Sequence, residues 1–460
     1  MKHFTKFCLI MLMSALLPKA ANGYDFKEGG LFFNVNQDGK SVTLTYEVPI
    51  MFALDAPAPT EKGYIGNIVI PSKVKHDGKT YTVTAVSDYA FCANSELLSV
   101  VIPASVKAIG KGAFMQCYRL QSVQLPPALT EISDYLFAES SLPAVTLPGK
   151  VKHIGESAFN SCRLKSLNIP NSVETIGRGA FSSNRQLEEL TMGNSVTTIG
   201  EGAFSLCPAL RSFSFPHSLK TIEPQAFNEC GALTTVTRPA SVTSIGSGAF
   251  SNCEGLTSIK VAAGNKRFDS RDNCNAIIET GTNTLVAGCN GTTVPASVSA
   301  IGDEAFYGCD SLTTVDLPAS VTKIGYRAYF YCHKIRSVNL PNSVTSIGSY
   351  AFVGCDSLET VEIPNSVTTI ADDAFLHDDH IKTVTIGSGV TSIGAWAFKG
   401  LDAVKSITSK IVDATSVDMG DDVFDEINKE TCTLYVPRGS AERYSNAPQW
   451  RDFKHIVEIF

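Results

Sequence analysis

The chain has 460 residues, a formal net charge of −7 and only 18% charged residues. It carries no basic tail or Lys/Arg run, so the electrostatic footprint that holds nucleic acid is missing and that class of partner is disfavoured. At this length a globular chain would divide into several domains, whereas a stack of repeats escapes that limit because its core grows unit by unit.

Residues 1–23 read as a secretory signal peptide. Lys2, His3 and Lys6 make a basic start, and residues 7–17 form an apolar run too short for a permanent transmembrane helix. Ala21, Asn22 and Gly23 place small residues before a cut expected at Tyr24. Cys8 lies inside the apolar run and does not read as a lipidation site. No second long apolar run follows, so no transmembrane segment is expected in the mature chain. Export implies a secreted, surface or periplasmic location. Neither a sorting motif nor an apolar tail is expected at the C-terminal end, which leaves the means of anchoring open.

Residues 24–80 do not fit the pattern that follows. Two alternating apolar stretches, 31–35 and 42–46, flank turn residues at 37–40 and predict a β-hairpin. This segment is assigned as an N-terminal cap. A repeating block then covers 81–261. An Ala-aromatic pair marks each unit, with Phe or Tyr at 91, 114, 137, 159, 181, 204, 227, 250, 306, 329, 352, 375 and 398. Most intervals are 23 residues (114 − 91), two are 22, and one is 56 (306 − 250). Units this short cannot bury an apolar face alone and must stack as a solenoid. Within a unit, Leu120, Val123 and Leu125 follow Phe114 like a short strand that Pro126 stops. A second apolar pair, such as Val344 and Ile347, precedes a Gly, and the marker segment has room for about one helical turn. The strands should pair in parallel about 4.8 Å apart.

The 56-residue interval isolates residues 262–293 as a hairpin-like insertion around Thr280, Gly281 and Thr282, expected to project at a coil edge. Coils resume over 294–431, and 432–460 supplies a C-terminal cap in which Trp450, Phe453, Ile456 and Val457 offer bulk. Arg238 departs from the repeat, standing where Leu125, Leu317 and Ile363 stand in other units. An unpaired cation there is costly, so its guanidinium is expected to snorkel to the coil edge or find a carboxylate.

Three residues after the marker comes Cys117, Cys162, Cys207, Cys230, Cys253, Cys309, Cys332 or Cys355, with Asn94 and Asn184 as substitutes. The order C-x-x-L-x-x-V-x-I-P…S-V-x-x-I-G-x-x-A-F resembles the BspA-like leucine-rich repeat (LRR) surface proteins over roughly residues 80–410. The fold expected is therefore an LRR solenoid, mostly β, with coils of about 23 residues, a parallel ladder, short helical turns and a cap at each end. The resemblance implies adhesion to host extracellular-matrix or cell-surface proteins, to other bacteria, or to a glycan. Exported chains rich in cysteine usually pair them. Ladder thiols about 5 Å apart with parallel side chains suit a disulfide poorly, so buried free thiols are expected. Cys274 and Cys289 lie outside the ladder and are the pair considered for a bridge.

Catalysis is not expected. No phosphate cradle, G-x-S-x-G elbow or H-E-x-x-H occurs. His377 and His380, flanking Asp378 and Asp379, are the metal candidates, but a third converging ligand is not argued by the sequence. Residues 269–273 lack the alternating spacing of a calcium loop. No metal or cofactor is expected, and the rival class is a metal-dependent or carbohydrate-active envelope protein built on the 262–293 insertion or on His377 and His380. The outward strand face carries a Ser/Thr column that cross-strand stabilisation explains. The varied charges on that face, Lys165, Glu188, Arg211, Lys260, Arg336, Glu359 and Lys382, are the candidate binding residues, although solvated charge explains them equally.

Overall fold

The computed structural model describes residues 23–46 and 63–459. The export segment read over residues 1–23 lies outside them apart from Gly23, as does Cys8. Each coil is two short strands and a run of turns, and successive coils stack in parallel register. On one side Ile132, Ile154, Ile176, Ile199, Ile222 and Ile245 lie opposite one another in sequence. The same column resumes at Leu285 and runs through Ile301, Ile324, Ile347, Ile370 and Ile393 to Met419. On another side Val361, Val384, Ile407, Leu434 and Ile456 are aligned. A slip of one residue would turn each column outward, so burial fixes the register.

Most isoleucines of this column are followed by a glycine, and the reason is the close approach of neighbouring coils. A Cβ on Gly348 would come within 2.6 Å of the Gly325 carbonyl group, and one on Gly177 within 2.7 Å of Gly155. At these coils the backbones approach too closely for a Cβ, whereas Ser133, Glu223 and Ala371 hold the equivalent position in other coils.

The marker segments are turns rather than helical turns. The residues two before and two after the marker adopt left-handed backbone, as at Tyr350 (φ 59°), Trp396 (φ 58°) and His377 (φ 57°). A right-handed helix cannot propagate through such residues. Their backbone polarity is instead spent between coils: Phe352 N–H donates to Ala374 O and Phe375 N–H to Ala397 O, both at 2.9 Å. This third ladder holds the aromatic rings in a stack. Centroid spacings are 4.9 Å from Phe91 to Phe114, 5.2 Å from Phe352 to Phe375 and 6.0 Å from Phe398 to Phe424. Trp450 closes the stack, tilted 58° to Phe424 with centroids 4.7 Å apart.

The cysteine column lies beside the rings. Cys117 Sγ donates to Phe91 O at 3.0 Å, Cys230 to Phe204 O at 3.3 Å and Cys332 to Phe306 O at 3.1 Å. Asn184 Nδ2 reaches Phe159 O in the same way at 2.8 Å. All twelve cysteines of the described residues, Cys274 and Cys289 included, are buried and unbridged. Burial pushes the thiols of Cys162, Cys207 and Cys253 up to about 12 and keeps them neutral donors. Unreduced native protein should therefore resist a thiol alkylating agent, and denaturation without reductant should expose about twelve reactive thiols, counted by mass spectrometry. Cysteines that stay unlabelled after denaturation would show disulfides where the ladder places thiols.

The insertion forms a hairpin, Ile277–Glu279 against Thr284–Ala287, but it does not project. Its second strand pairs in parallel with Ala300–Ile301 and takes a place in the isoleucine column. Ile277, Ile278, Leu285 and Ala287 are all buried, because apolar residues on both faces of the hairpin need cover on both sides. Gly288 then occupies a marker position, donating its N–H to Ala305 O at 2.7 Å. The Phe306 ring fills the space where a Cβ on Gly288 would stand. The core is accordingly in two parts that meet inside the hairpin, Ile277 and Ala287 belonging to one and Ile278 and Leu285 to the other.

At the N-terminal end, Leu31–Val35 and Ser41–Thr45 form an antiparallel hairpin. Asp38 Oδ1 closes its turn, accepting from the N–H of Lys40 and of Ser41. Ser41–Thr45 then lies parallel to Lys79–Val86, which in turn pairs with Ala108–Ile109. At the other end Trp450 and Phe453 are buried against Phe424 and Tyr444 against Trp450, whereas Val457 is exposed.

Candidate functional site

The outward strand face is built by stacking. Residues one coil apart come to lie side by side because their strands pair in register, and every side chain between two core positions points to solvent. Lys165, Glu188, Arg211, Lys260, Arg336, Glu359 and Lys382 are all exposed. They are not one cluster. Lys382 Nζ stands 2.8 Å from Glu359 Oε2, and that hydrogen bond lowers the Glu359 carboxyl below its ordinary range. Glu188 N–H donates to Lys165 O at 2.9 Å, joining those two positions through the backbone. Lys260 stands in a different column, opposite Thr237.

The His377–His380 segment divides between the two sides of the wall. His377 and His380 are exposed and Asp379 with them, while Asp378 is buried completely. His377 Nδ1 lies 3.9 Å from Glu426 Oε2 on the next coil. Among the described residues no group of three or more His, Cys, Asp or Glu side chains is placed to hold a metal ion. Asp378 falls three residues after Phe375, the position of the ladder cysteines. Its Oδ1 accepts the Cys355 N–H at 2.8 Å, its Oδ2 has no partner, and burial raises its carboxyl well above the ordinary range. In the 269–273 loop, the Asp269 carboxylate is held by Arg271 at 2.8 Å and so is engaged within its own turn.

Arg238 corrects the expectation made for it. Its side chain neither reaches the coil edge nor meets a carboxylate; it is fully buried. The guanidinium stacks 4.1 Å from the centroid of Phe268, which the insertion folds across it. Nη2 reaches Val242 O at a long 3.4 Å, while Nε and Nη1 have no partner. Desolvation lowers its pKa to about 9. Leu at this position would keep apolar bulk under Phe268 and remove two unsatisfied donors, each of which costs about 1–3 kcal/mol. Arg238→Leu should therefore leave the melting temperature unchanged or raise it, and Arg238→Ala should lower it by opening a cavity. A large loss with Leu would show that the stacked cation holds the insertion in place.

A groove of about 300 Å³ opens where the isoleucine column breaks, with Ser247 on one wall and Thr284, Val286, Asp303 and Lys323 on the other. Farther along the solenoid lies a cluster absent from the sequence-based candidates. Tyr307, Tyr326, Phe330, Tyr331 and Tyr350 make ring contacts across three coils. The sequence held a signal for it. Tyr307 and Phe330 directly follow their markers, where earlier coils carry Asn160, Ser182, Ser205, Asn228 and Ser251. Chemically, the surface offers charges of both signs, hydroxyls and rings on a rigid lattice, which is equipment for recognition.

The family model for the BspA type leucine rich repeat region matches residues 84–163, 152–277 and 287–428. No curated protein matches the chain. It is similar in structure to a leucine rich cell surface protein from Faecalibacterium prausnitzii, with 29% identity, 86% of this chain and 96% of that one covered, and a TM-score of 0.64. A leucine-rich repeat protein from Bacteroides ovatus shares the fold at 23% identity, covering 95% and 100% of the two chains with a TM-score of 0.58. So does the pneumococcal vaccine antigen PcpA, at 20% identity, 96% and 100% coverage and a TM-score of 0.57. The mostly β solenoid, the recurring marker and the cysteine column agree with the family match, and this chain belongs to the BspA-type leucine-rich repeat family.

Proposed function

We propose that the protein is an exported, non-catalytic binding scaffold that adheres to extracellular-matrix or cell-surface proteins of a host, or to other bacteria. The observation that carries this reading is a stacked wall whose outward positions beside the Ser/Thr column vary while its inward positions repeat. Lys165, Glu188, Arg211, Lys260, Arg336, Glu359 and Lys382 belong to that varied set. A core repeated coil after coil keeps the lattice, and free variation outside lets the lattice carry a recognition surface. The likeness to a Faecalibacterium prausnitzii cell surface protein supports placement outside the cytoplasm, as does the signal-like composition of residues 1–23. No helix of the described residues is long and apolar enough to cross a membrane. Division into caps at 24–80 and 432–460 around two coil blocks is part of the same proposal.

Two experiments test it. Protease treatment of intact cells should remove the protein's signal while a cytoplasmic marker survives. Purified protein should bind saturably to an array of immobilised extracellular-matrix proteins or to whole bacterial cells. A protein untouched on intact cells, or one retained no better than on a blocked surface, would overturn the reading.

A further inference from the structure

We propose that the aromatic cluster on the coils of Phe306, Tyr329 and Phe352 docks an extended peptide segment of a partner protein, with Arg327 receiving an acidic side chain of that segment. The inference rests on the binding-scaffold reading and gives it a surface and a partner chemistry.

The cluster has a floor and open ridges. Phe330 is nearly covered, while Tyr326 is 38% and Tyr331 43% exposed. Phe330 touches Tyr331 at 4.1 Å and Tyr307 at 5.0 Å, and Tyr326 meets Tyr350 at 5.8 Å. Large ring side chains held at the surface by their neighbours lose little entropy when a partner covers them, and Tyr and Arg are the residue types that dominate binding hot spots. Contiguous exposed rings on a protein surface mark interaction sites.

Arg327 supplies the charge. Its guanidinium carbon lies 4.9 Å from the Tyr326 ring, 5.0 Å from Phe330 and 5.3 Å from Tyr350. Rings therefore hold the planar group in place, and among the described residues it forms no ion pair. Its Nε is buried without a partner. Glu304 lies near enough to feel this charge, but its own Oε2 is buried without a partner. The neighbouring basic side chains already have acidic partners, Lys334 Nζ 3.4 Å from Asp310 and His333 Nδ1 2.8 Å from Asp356. An immobilised guanidinium with free donors is complementary to a carboxylate. The ring arrangement selects the class of partner. Interplanar angles of 73° for Tyr307–Phe330 and 81° for Tyr326–Tyr350 make slots between ring edges rather than a flat platform for a sugar face. Slots admit side chains, so the partner segment carries an acidic residue beside an apolar one.

A random linear peptide display library panned on the full-length mature protein tests this directly. Enriched peptides should contain Asp or Glu next to an apolar residue. Their affinity, read by fluorescence anisotropy, should fall at least about tenfold with Tyr331→Ala and with Arg327→Gln. Changing the peptide acid to its amide should weaken binding to wild type but add little to Arg327→Gln. Lys150→Ala, on an exposed turn several coils away, should leave affinity unchanged, and thermal melts establish that each variant is folded. Enriched peptides without acidic residues, indifference to Tyr331→Ala, or no enrichment would overturn the proposal. Binding of a uronic-acid glycan that Tyr331→Ala abolishes would overturn it in favour of a sugar. If Tyr331→Ala protein still adheres to matrix or cells as wild type does, the scaffold reading stands and this surface falls.

Discussion

Replacing Phe352 with Ala is expected to cost about 3–5 kcal/mol, the range for truncating a packed core Phe. The ring is fully buried, 5.3 Å from Tyr329 on one side and 5.2 Å from Phe375 on the other. Deleting it removes two stacking contacts and leaves a void that neither neighbour can fill without leaving its own coil. Because coils couple chiefly to their neighbours, the damage should stay local. Hydrogen exchange should accelerate over about residues 324–386, with residues 100–230 still protected. Loss of protection along the whole chain at once would show that the solenoid unfolds as one cooperative unit. Unchanged exchange would mean that the ring stack contributes little.

Asp378→Asn should stabilise the protein at neutral pH. The carboxyl sits in the cysteine column, where most of the other side chains donate to a marker carbonyl on the preceding coil, as Cys355 does to Tyr329 O. For Asp378 the corresponding acceptor is the carbonyl of Phe352, and only a protonated carboxyl can donate to it. Burial raises the folded-state pKa well above the ordinary value, so the folded protein holds a proton that the unfolded chain releases above about pH 4. Stability is then greatest below the unfolded pKa and falls as pH rises towards the folded one, by about 1.4 kcal/mol per pH unit. An amide donates without that cost, as Asn184 already does. Thermal midpoints of the two proteins should coincide near pH 4 and separate as pH rises, with the Asp378→Asn protein melting higher. A variant that melts lower at neutral pH would show that Asp378 works as an anion.

The repeat makes much of this molecule readable before any coordinates. A marker ring, a cysteine three residues on and an isoleucine at the corner recur in one dimension, and stacking converts that recurrence directly into columns. Other features depend on where the chain folds back. The left-handed residues of the return turns are as unlike as Gly112, Gln116, Tyr350 and Trp396, so no composition signals them, and a helical turn is the natural expectation. Arg238 is legible as an exception but its outcome is not, because Phe268 covers it from the insertion. In the 377–380 segment the two histidines stand out in the sequence, whereas Asp378, which keeps the phase of the cysteines and is buried, does not. The candidate charges are exposed as a strand face requires, yet exposure alone does not distinguish a recognition residue from a solvated one. The aromatic cluster emerges only when surface positions are compared between coils.

The cysteine column also sets a race during biogenesis. Its thiols recur about every 23 residues in near-identical surroundings, so an unfolded chain offers an oxidant many equivalent partners. A bridge closed between two of them before the coils stack would join segments one or more units out of phase. Once folded, each thiol is buried and neutral, most of them donating to a backbone carbonyl, and the oxidant finds nothing to attack. For an exported chain, as proposed, survival in an oxidising compartment then depends on how fast stacking spreads from the first closed coils. Short-range order, which lets each coil recruit the next without waiting for a distant partner, is what gives this architecture its lead.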